Sequence, residues 1–141
     1  MSIELDHLGI AVANLEEGLQ FYEKLLGLKV QRRETVESEH VNVAMLPVSD
    51  SLSGSRIELL ESTDANSTIA KFLKKRGPGL HHVALRVDDL ALTIERLKSE
   101  GARVLNDPSS GAGGHMYVFV HPASTSGVLL ELIQNERAIK E

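Results

Sequence analysis

The stretch HHVALRVDDL, residues 81–90, decides how this 141-residue chain is organised, because it repeats an earlier stretch. DHLGIAVANL, residues 6–15, has the same alternation of small and large apolar residues and the same final leucine. Farther along, RIELLE at residues 56–61 resembles LLELIQ at residues 129–134. Self-similarity at a nearly fixed offset indicates two copies of one supersecondary unit. The chain therefore reads as two related halves.

Both halves show the pattern of a strand, a helix and three further strands. In the first half, we expect strands over 3–13, 28–36, 41–48 and 56–61, with a helix between the cap residue Asn14 and the stop residue Gly27. In the second half, we expect strands over 80–87, 102–105, 116–121 and 128–134, with a helix between Asp88 or Asp89 and Gly101.

These elements predict an α+β protein built from two βαβββ modules. The modules cover about residues 4–61 and 79–135, and a helix over 66–76 links them within a single domain, 1–141. A module of this size is too small to bury a good core by itself, so two modules must pair within the chain or between chains.

Composition narrows the class of function. The net charge of −5 and the aromatic content of 4% argue against a nucleic-acid partner. No apolar run approaches the ~20 residues of a membrane-spanning helix. The N-terminus lacks the features of a signal peptide, so we expect a cytoplasmic protein with no membrane partner. One basic run, residues 71–76, fits a solvated helix face, although a phosphate-bearing small molecule could also use it.

Two histidines and two glutamates occupy equivalent places in the repeat. His7 aligns with His82, and Glu58 aligns with Glu131. Singly, each is best explained as an ordinary strand residue on the surface or with a hydrogen-bond partner in the core. Together they form a set of two nitrogen and two carboxylate ligands, and the chain has no cysteine that could add a thiolate. This set suits a divalent metal such as Co, Mn, Ni, Zn or Fe.

The paired modules and this ligand set resemble the vicinal oxygen chelate superfamily, which includes glyoxalase I. Within it, residues 5–134 look most like the methylmalonyl-CoA epimerase family. The matching segments are DHLGIAVANL, FYEKLLGL, VNVAMLPV, IELLES, STIAKFLKKRGPGLHHVALRVDDL and VFVHPASTSGVLLEL. The last segment is the most specific, because it resembles the family's HPKSTGGVLIEL, whereas glyoxalase I typically has a D-P-x-G turn there.

The resemblance implies a fold, a reaction and partners. The modules would pair into a curved, barrel-like mixed sheet that encloses a metal cleft, and the protein would form a homodimer. The reaction would interconvert (2R)- and (2S)-methylmalonyl-CoA through an enolate that a divalent metal stabilises. The substrate is thus an acyl-CoA, and Arg32, Arg33 and the basic run are candidate contacts for CoA.

Epimerisation needs an acid or base on each face of C2. By resemblance, Glu131 is one of them and also a metal ligand. The family's second glutamate lies in an E-Q-G-V or E-H-G-V segment, which aligns with Ser38, Glu39, His40 and Val41. The expected glutamate falls on Ser38, so Glu37 or Glu39 could serve after a shift of one residue. We favour Glu39, and His40 or a water molecule remains an alternative.

Three other functions fit parts of this pattern. A glyoxalase I-type lactoylglutathione lyase is compatible with Glu58, because bacterial glyoxalases use a His/Glu/His/Glu set, but the HPASTSG segment argues against it. A metal-free module that binds small molecules would not need four intact ligands. An extradiol dioxygenase would use two histidines and one carboxylate for iron, so the extra carboxylate disfavours it.

Overall fold

The computed structural model describes residues 2–49 and 54–136. The strands are β1 (Ile3–Ala11), β2 (Arg32–Val36), β3 (Val41–Pro47), β4 (Arg56–Ser62), β5 (Gly79–Val87), β6 (Ser109–Ser110), β7 (Met116–Val120) and β8 (Leu130–Gln134). The helices are α1 (Leu15–Leu19), which continues as a π-helical segment (Gln20–Leu25), α2 (Thr68–Arg76) and α3 (Leu90–Ser99). None of the helices in the described residues is long and apolar enough to cross a membrane.

The chain divides into two compact units with the same strand pattern. One unit is His7–His81, and the other combines Met1–Asp6 with His82–Glu141. In the first unit the strand order is β2-β3-β4-β1, and in the second it is β5-β8-β7-β6. The pairs β1–β4 and β5–β8 are parallel, whereas the other pairs inside each unit are antiparallel. The α+β class and the repeated βαβββ pattern are confirmed.

One predicted strand is wrong. Residues 102–105 form only an isolated bridge between Val104 and Val120, and the second strand of this module is instead the two-residue β6. The side chain of Asn106 explains the difference, because its Oδ1 accepts a hydrogen bond of 2.8 Å from the backbone N–H of Phe119. A side chain that takes a backbone donor in this way competes with the strand ladder. The ladder therefore ends after a single bridge.

In each module, one side chain attaches the start of the helix to the end of the last strand. The carboxylate of Glu61 accepts a 2.8 Å hydrogen bond from the N–H of Leu15, and the amide oxygen of Gln134 accepts a 2.9 Å bond from the N–H of Leu90. These are equivalent positions in the repeat. Each bond satisfies a helix N-terminal donor that has no partner inside the helix. The helix is thus fixed to the strand that carries Glu58 or Glu131.

The hydrophobic core of each module lies between its helix and one face of its sheet. In the first module, Val12, Leu15, Leu19 and Leu59 belong to this core, with Ile10 packed against it. The second module has the equivalent core, formed by Val87, Leu90, Ile94, Val118, Val120 and Leu132. Since alternate residues of a strand point to opposite faces, the residues next to Leu59 and Leu132 face away from these cores. Those residues include Glu58 and Glu131.

A buried ion pair joins the first residues of β1 to β5 inside the second unit. The Arg86 guanidinium donates a 2.7 Å hydrogen bond to the carboxylate of Asp6. The side chains are only 12% and 4% exposed. Removing one member of such a pair is costly, because the other charge stays buried without its partner.

We therefore expect Arg86→Met to lower the free energy of unfolding by about 3 kcal/mol, measured by urea denaturation of the metal-free protein. Adding Asp6→Leu to this variant should recover much of the loss. Arg33→Met is the matched control, since its ion pair with Glu16 is exposed and its removal should change stability by less than about 1 kcal/mol. Equal effects of Arg86→Met and Arg33→Met would contradict a stabilising role for the buried pair.

Candidate functional site

The first buried His–Glu pair joins β1 and β4. These strands pair in parallel with Gly9 opposite Glu58, so His7, two residues before Gly9, shares a sheet face with the glutamate. The Nε2 atom of His7 lies 3.3 Å from Oε1 of Glu58, and the two side chains are 4% and 5% exposed. Glycine at position 9 has no side chain to fill the space between them. The glutamate can therefore reach the histidine diagonally across the strands.

The second module repeats this arrangement on β5 and β8. Here Ala84 lies opposite Glu131, and His82 again precedes the small residue by two positions. Nε2 of His82 lies 3.1 Å from Oε1 of Glu131, with the side chains 3% and 12% exposed. Glu131 is thus the more accessible of the two glutamates. In both modules a small residue lies opposite the glutamate, the histidine precedes that small residue by two positions, and Nε2 is the ring nitrogen near the carboxylate.

The chemistry of these pairs fits a divalent cation. A carboxylate buried in an apolar environment needs a charge partner or hydrogen bonds, and each glutamate has an imidazole nitrogen beside it. Imidazole nitrogen and carboxylate oxygen are the ligands that Zn, Fe, Co, Ni and Mn sites use when no thiolate is present. Each module therefore offers one nitrogen and one oxygen donor from a buried pair.

Large apolar side chains flank the two glutamates, and the sequence did not single them out. Met45 on β3 lies directly opposite Glu58, and Phe119 on β7 lies directly opposite Glu131. The Phe119 ring also packs edge-on against His82, with 5.7 Å between the ring centroids. These neighbours keep water from one side of each pair and thereby strengthen its electrostatic interactions. They are identified by the register of β3 with β4 and of β7 with β8, which the pattern within a single strand does not contain.

The HPASTSG segment folds into a turn that leads into β8. The ring Nδ1 of His121 accepts a 2.9 Å hydrogen bond from the N–H of Ala123, and the carbonyl of Pro122 accepts one of 2.8 Å from Gly127. The hydroxyl of Thr125 donates to the carbonyl of Val128. Gly127 has φ +94°, a conformation that favours glycine. The most family-specific motif thus shapes the entry to the strand that carries Glu131.

The predicted second acid or base lies on a short turn between β2 and β3. Glu37–Glu39 forms a single 3-10 turn, in which Glu37 and Ser38 are exposed and Glu39 is half-buried. His40 follows with φ 55° and ψ 50°, the left-handed conformation that glycine adopts most easily. Glu39 belongs to neither of the two His–Glu pairs.

Comparison with known proteins identifies the class. The chain belongs to the Glyoxalase/Bleomycin resistance protein/Dioxygenase superfamily, whose family profile matches residues 6–119. An ethylmalonyl-CoA/methylmalonyl-CoA epimerase from Cereibacter sphaeroides is 37% identical to it over 133 residues, which cover 92% of this chain and 96% of the relative. A probable lactoylglutathione lyase from Vibrio cholerae is 29% identical over 133 residues, which cover 94% of this chain and 91% of the relative.

Solved structures of methylmalonyl-CoA epimerases are also similar to this chain. A variant of the Streptomyces coelicolor methylmalonyl-CoA epimerase, in complex with 2-nitronate-propionyl-CoA, superposes with a TM-score of 0.90 at 36% identity. The match covers 96% of this chain and 99% of that chain. Within the superfamily, the chain groups with the methylmalonyl-CoA epimerases.

Proposed function

We propose that this protein is a metal-dependent epimerase that interconverts (2R)- and (2S)-methylmalonyl-CoA. The observation that carries the proposal is the buried His–Glu pair that occurs once in each module, in the same register. The likeness to methylmalonyl-CoA epimerases over most of the chain supports the choice of substrate. The reaction moves one proton at C2 and needs no cofactor that transfers electrons or groups.

In this proposal His7, Glu58, His82 and Glu131 bind one divalent ion, which is Co, Mn, Ni, Zn or Fe. Two nitrogen and two oxygen ligands from the protein would leave the ion able to bind water or substrate as well. When bound, the ion supplies positive charge that stabilises the negative charge developing on the thioester oxygen as C2 loses its proton.

The two glutamates have different roles. Glu131 is 12% exposed and Glu58 is 5% exposed, so the Glu131 carboxylate is the better placed of the two to meet a substrate. We assign to it the transfer of the C2 proton on one face. Glu58, with Met45 opposite it, stays enclosed and serves as a ligand alone. Phe119 lies opposite Glu131 on the neighbouring strand and shields one side of the carboxylate from water.

The other face of C2 requires a second group, for which we propose Glu39. It is half-buried, whereas Glu37 and Ser38 are exposed on the same turn. A partly shielded carboxylate on a short turn is held in fewer conformations than a fully exposed one, as proton transfer at a defined position requires. We further propose that the protein acts as a homodimer, as its family resemblance implies, and that it is a cytoplasmic protein.

A lactoylglutathione lyase is the second candidate. The chain has a carboxylate at Glu58, which suits the His/Glu/His/Glu set of bacterial glyoxalases. Its identity to a probable lyase is lower than to the epimerases, and its HPASTSG turn follows the epimerase pattern. Assaying the hemithioacetal of methylglyoxal and glutathione beside methylmalonyl-CoA separates the two functions directly.

The main test is exchange of the C2 proton of methylmalonyl-CoA in D₂O, followed by NMR. We expect deuterium incorporation and interconversion of the epimers with metal-loaded protein, and a loss of at least about 100-fold after the protein is stripped with a chelator. Adding back one divalent ion at a time should restore the rate and identify the effective metal. If the C2 proton does not exchange with any of the metals added, the epimerase proposal is wrong. If it still exchanges after the metal has been removed, the proposed role of the metal is wrong.

The second base can be located with three variants of one turn. We expect Glu39→Gln to slow interconversion by about 100-fold or more, because only one face of C2 keeps its acid or base. The epimer whose proton faces Glu131 should still exchange with solvent, with its configuration retained. Glu37→Gln and Ser38→Ala serve as controls that should stay within a few-fold of wild type. A Glu39→Gln protein that interconverts the epimers at the normal rate would exclude Glu39.

A further inference from the structure

Helix α2 concentrates positive charge in a chain that is acidic overall. Its sequence, TIAKFLKKR, holds four basic residues and no acidic one, whereas the whole chain has a net charge of −5. Lys71, Lys74 and Lys75 follow the spacing i, i+3 and i+4, so they share one face of the helix. All three are exposed, and Ile69 on the same helix is buried. The lysines therefore form a basic face directed toward solvent.

This charge is not compensated within the part of the chain that the structure describes. Among residues 2–49 and 54–136, no carboxylate forms a salt bridge with Lys71, Lys74 or Lys75. Arg32 and Arg33, which are also candidate contacts for CoA, do form salt bridges. Arg33 pairs with Glu16 at 2.6 Å, and Arg32 pairs with Glu34 at 3.1 Å. A phosphate would have to compete with a neighbouring carboxylate at those arginines, but not at the lysines of α2.

Helix α2 connects β4, which carries Glu58, with β5, which carries His82. At its start, the cap residue Ser67 is held by a 2.6 Å hydrogen bond to Ser62, the last residue of β4, which carries Glu58. At its end, the chain turns at Gly77 and enters β5, so His82 comes six residues after Arg76. Six residues span at most about 20 Å. An extended pantetheine arm can bridge a separation of that order between a thioester and a nucleotide.

We infer that the face formed by Lys71, Lys74 and Lys75 binds the phosphate groups of the 3′-phospho-ADP part of an acyl-CoA. The inference rests on the proposed function for the identity of the substrate. Three ammonium groups on one helix face provide the cluster of positive charge that the polyanionic nucleotide end of CoA requires, whereas the acyl group is recognised elsewhere. The aromatic content of 4% leaves too few stacking platforms for a nucleic acid on the same surface.

The first experiment compares two substrates. Methylmalonyl-CoA carries the nucleotide, and methylmalonyl-pantetheine has the same reacting group without it. For Lys71→Gln/Lys74→Gln/Lys75→Gln, we expect the ratio of kcat/KM for the CoA substrate to that for the pantetheine substrate to fall about tenfold, since each exposed charge contact contributes modestly. The matched control, Lys24→Gln/Lys29→Gln/Lys98→Gln, removes the same charge from other exposed positions and should keep the wild-type ratio.

The second experiment does not depend on catalysis. Binding of 3′-phosphoadenosine 5′-diphosphate is measured by calorimetry on the full chain, with adenosine as the probe without phosphate. We expect the nucleotide to bind wild type and the control variant equally, and to bind the α2 variant about tenfold more weakly, with adenosine unaffected. Equal binding by wild type and the α2 variant overturns the inference. If the protein lacks epimerase activity but its nucleotide binding still depends on the lysines of α2, the proposed reaction is wrong and the proposed nucleotide-binding surface is supported.

Discussion

The parallel pairing of the first and last strands of each module is the constraint on which the rest of the structure depends. It places a small residue, Gly9 or Ala84, opposite a glutamate and puts a histidine two positions earlier on the same face. Because the small residue leaves space, the carboxylate reaches the imidazole diagonally. A shift of one residue in either register would turn the glutamate toward the hydrophobic core. Both the His–Glu contacts and the separation of these residues from the hydrophobic core therefore follow from this register.

The opposite face of each sheet supplies the stability that makes the register possible. Helices α1 and α3 pack their apolar residues there, and each is fixed to the end of a parallel strand by the side chain of Glu61 or Gln134. Those strands carry Glu58 and Glu131 three residues before their tethers. The helix, the core and the glutamate are consequently positioned by one strand in each module. Each copy of the module therefore contains a His–Glu pair together with the helix and the hydrophobic core that position it.

The internal repeat is visible in the sequence alone, and it is sufficient to predict the four candidate ligands. The sequence also predicted Asn14 as one helix cap and Asp88 or Asp89 as the other, and the side chains of Asn14 and Asp89 accept the hydrogen bonds expected of cap residues. It failed at residues 102–105, because the competition of the Asn106 side chain for a backbone donor leaves no trace in hydrophobic periodicity. Likewise, Phe119 and Met45 looked like ordinary strand residues. Their place beside the glutamates depends on cross-strand register, which a pattern within one strand does not contain.

The central claim is that the two His–Glu pairs form one metal site, and counting bound ions tests it most directly. Metal-stripped protein is titrated with Co²⁺, and the d–d absorption and the stoichiometry are recorded for wild type, His7→Ala and His82→Ala. We expect one ion per chain in wild type, and a loss of affinity of at least about 100-fold in either variant, because each removes a ligand from the same ion. Two ions per chain, or normal binding by one of the variants, would contradict a shared site.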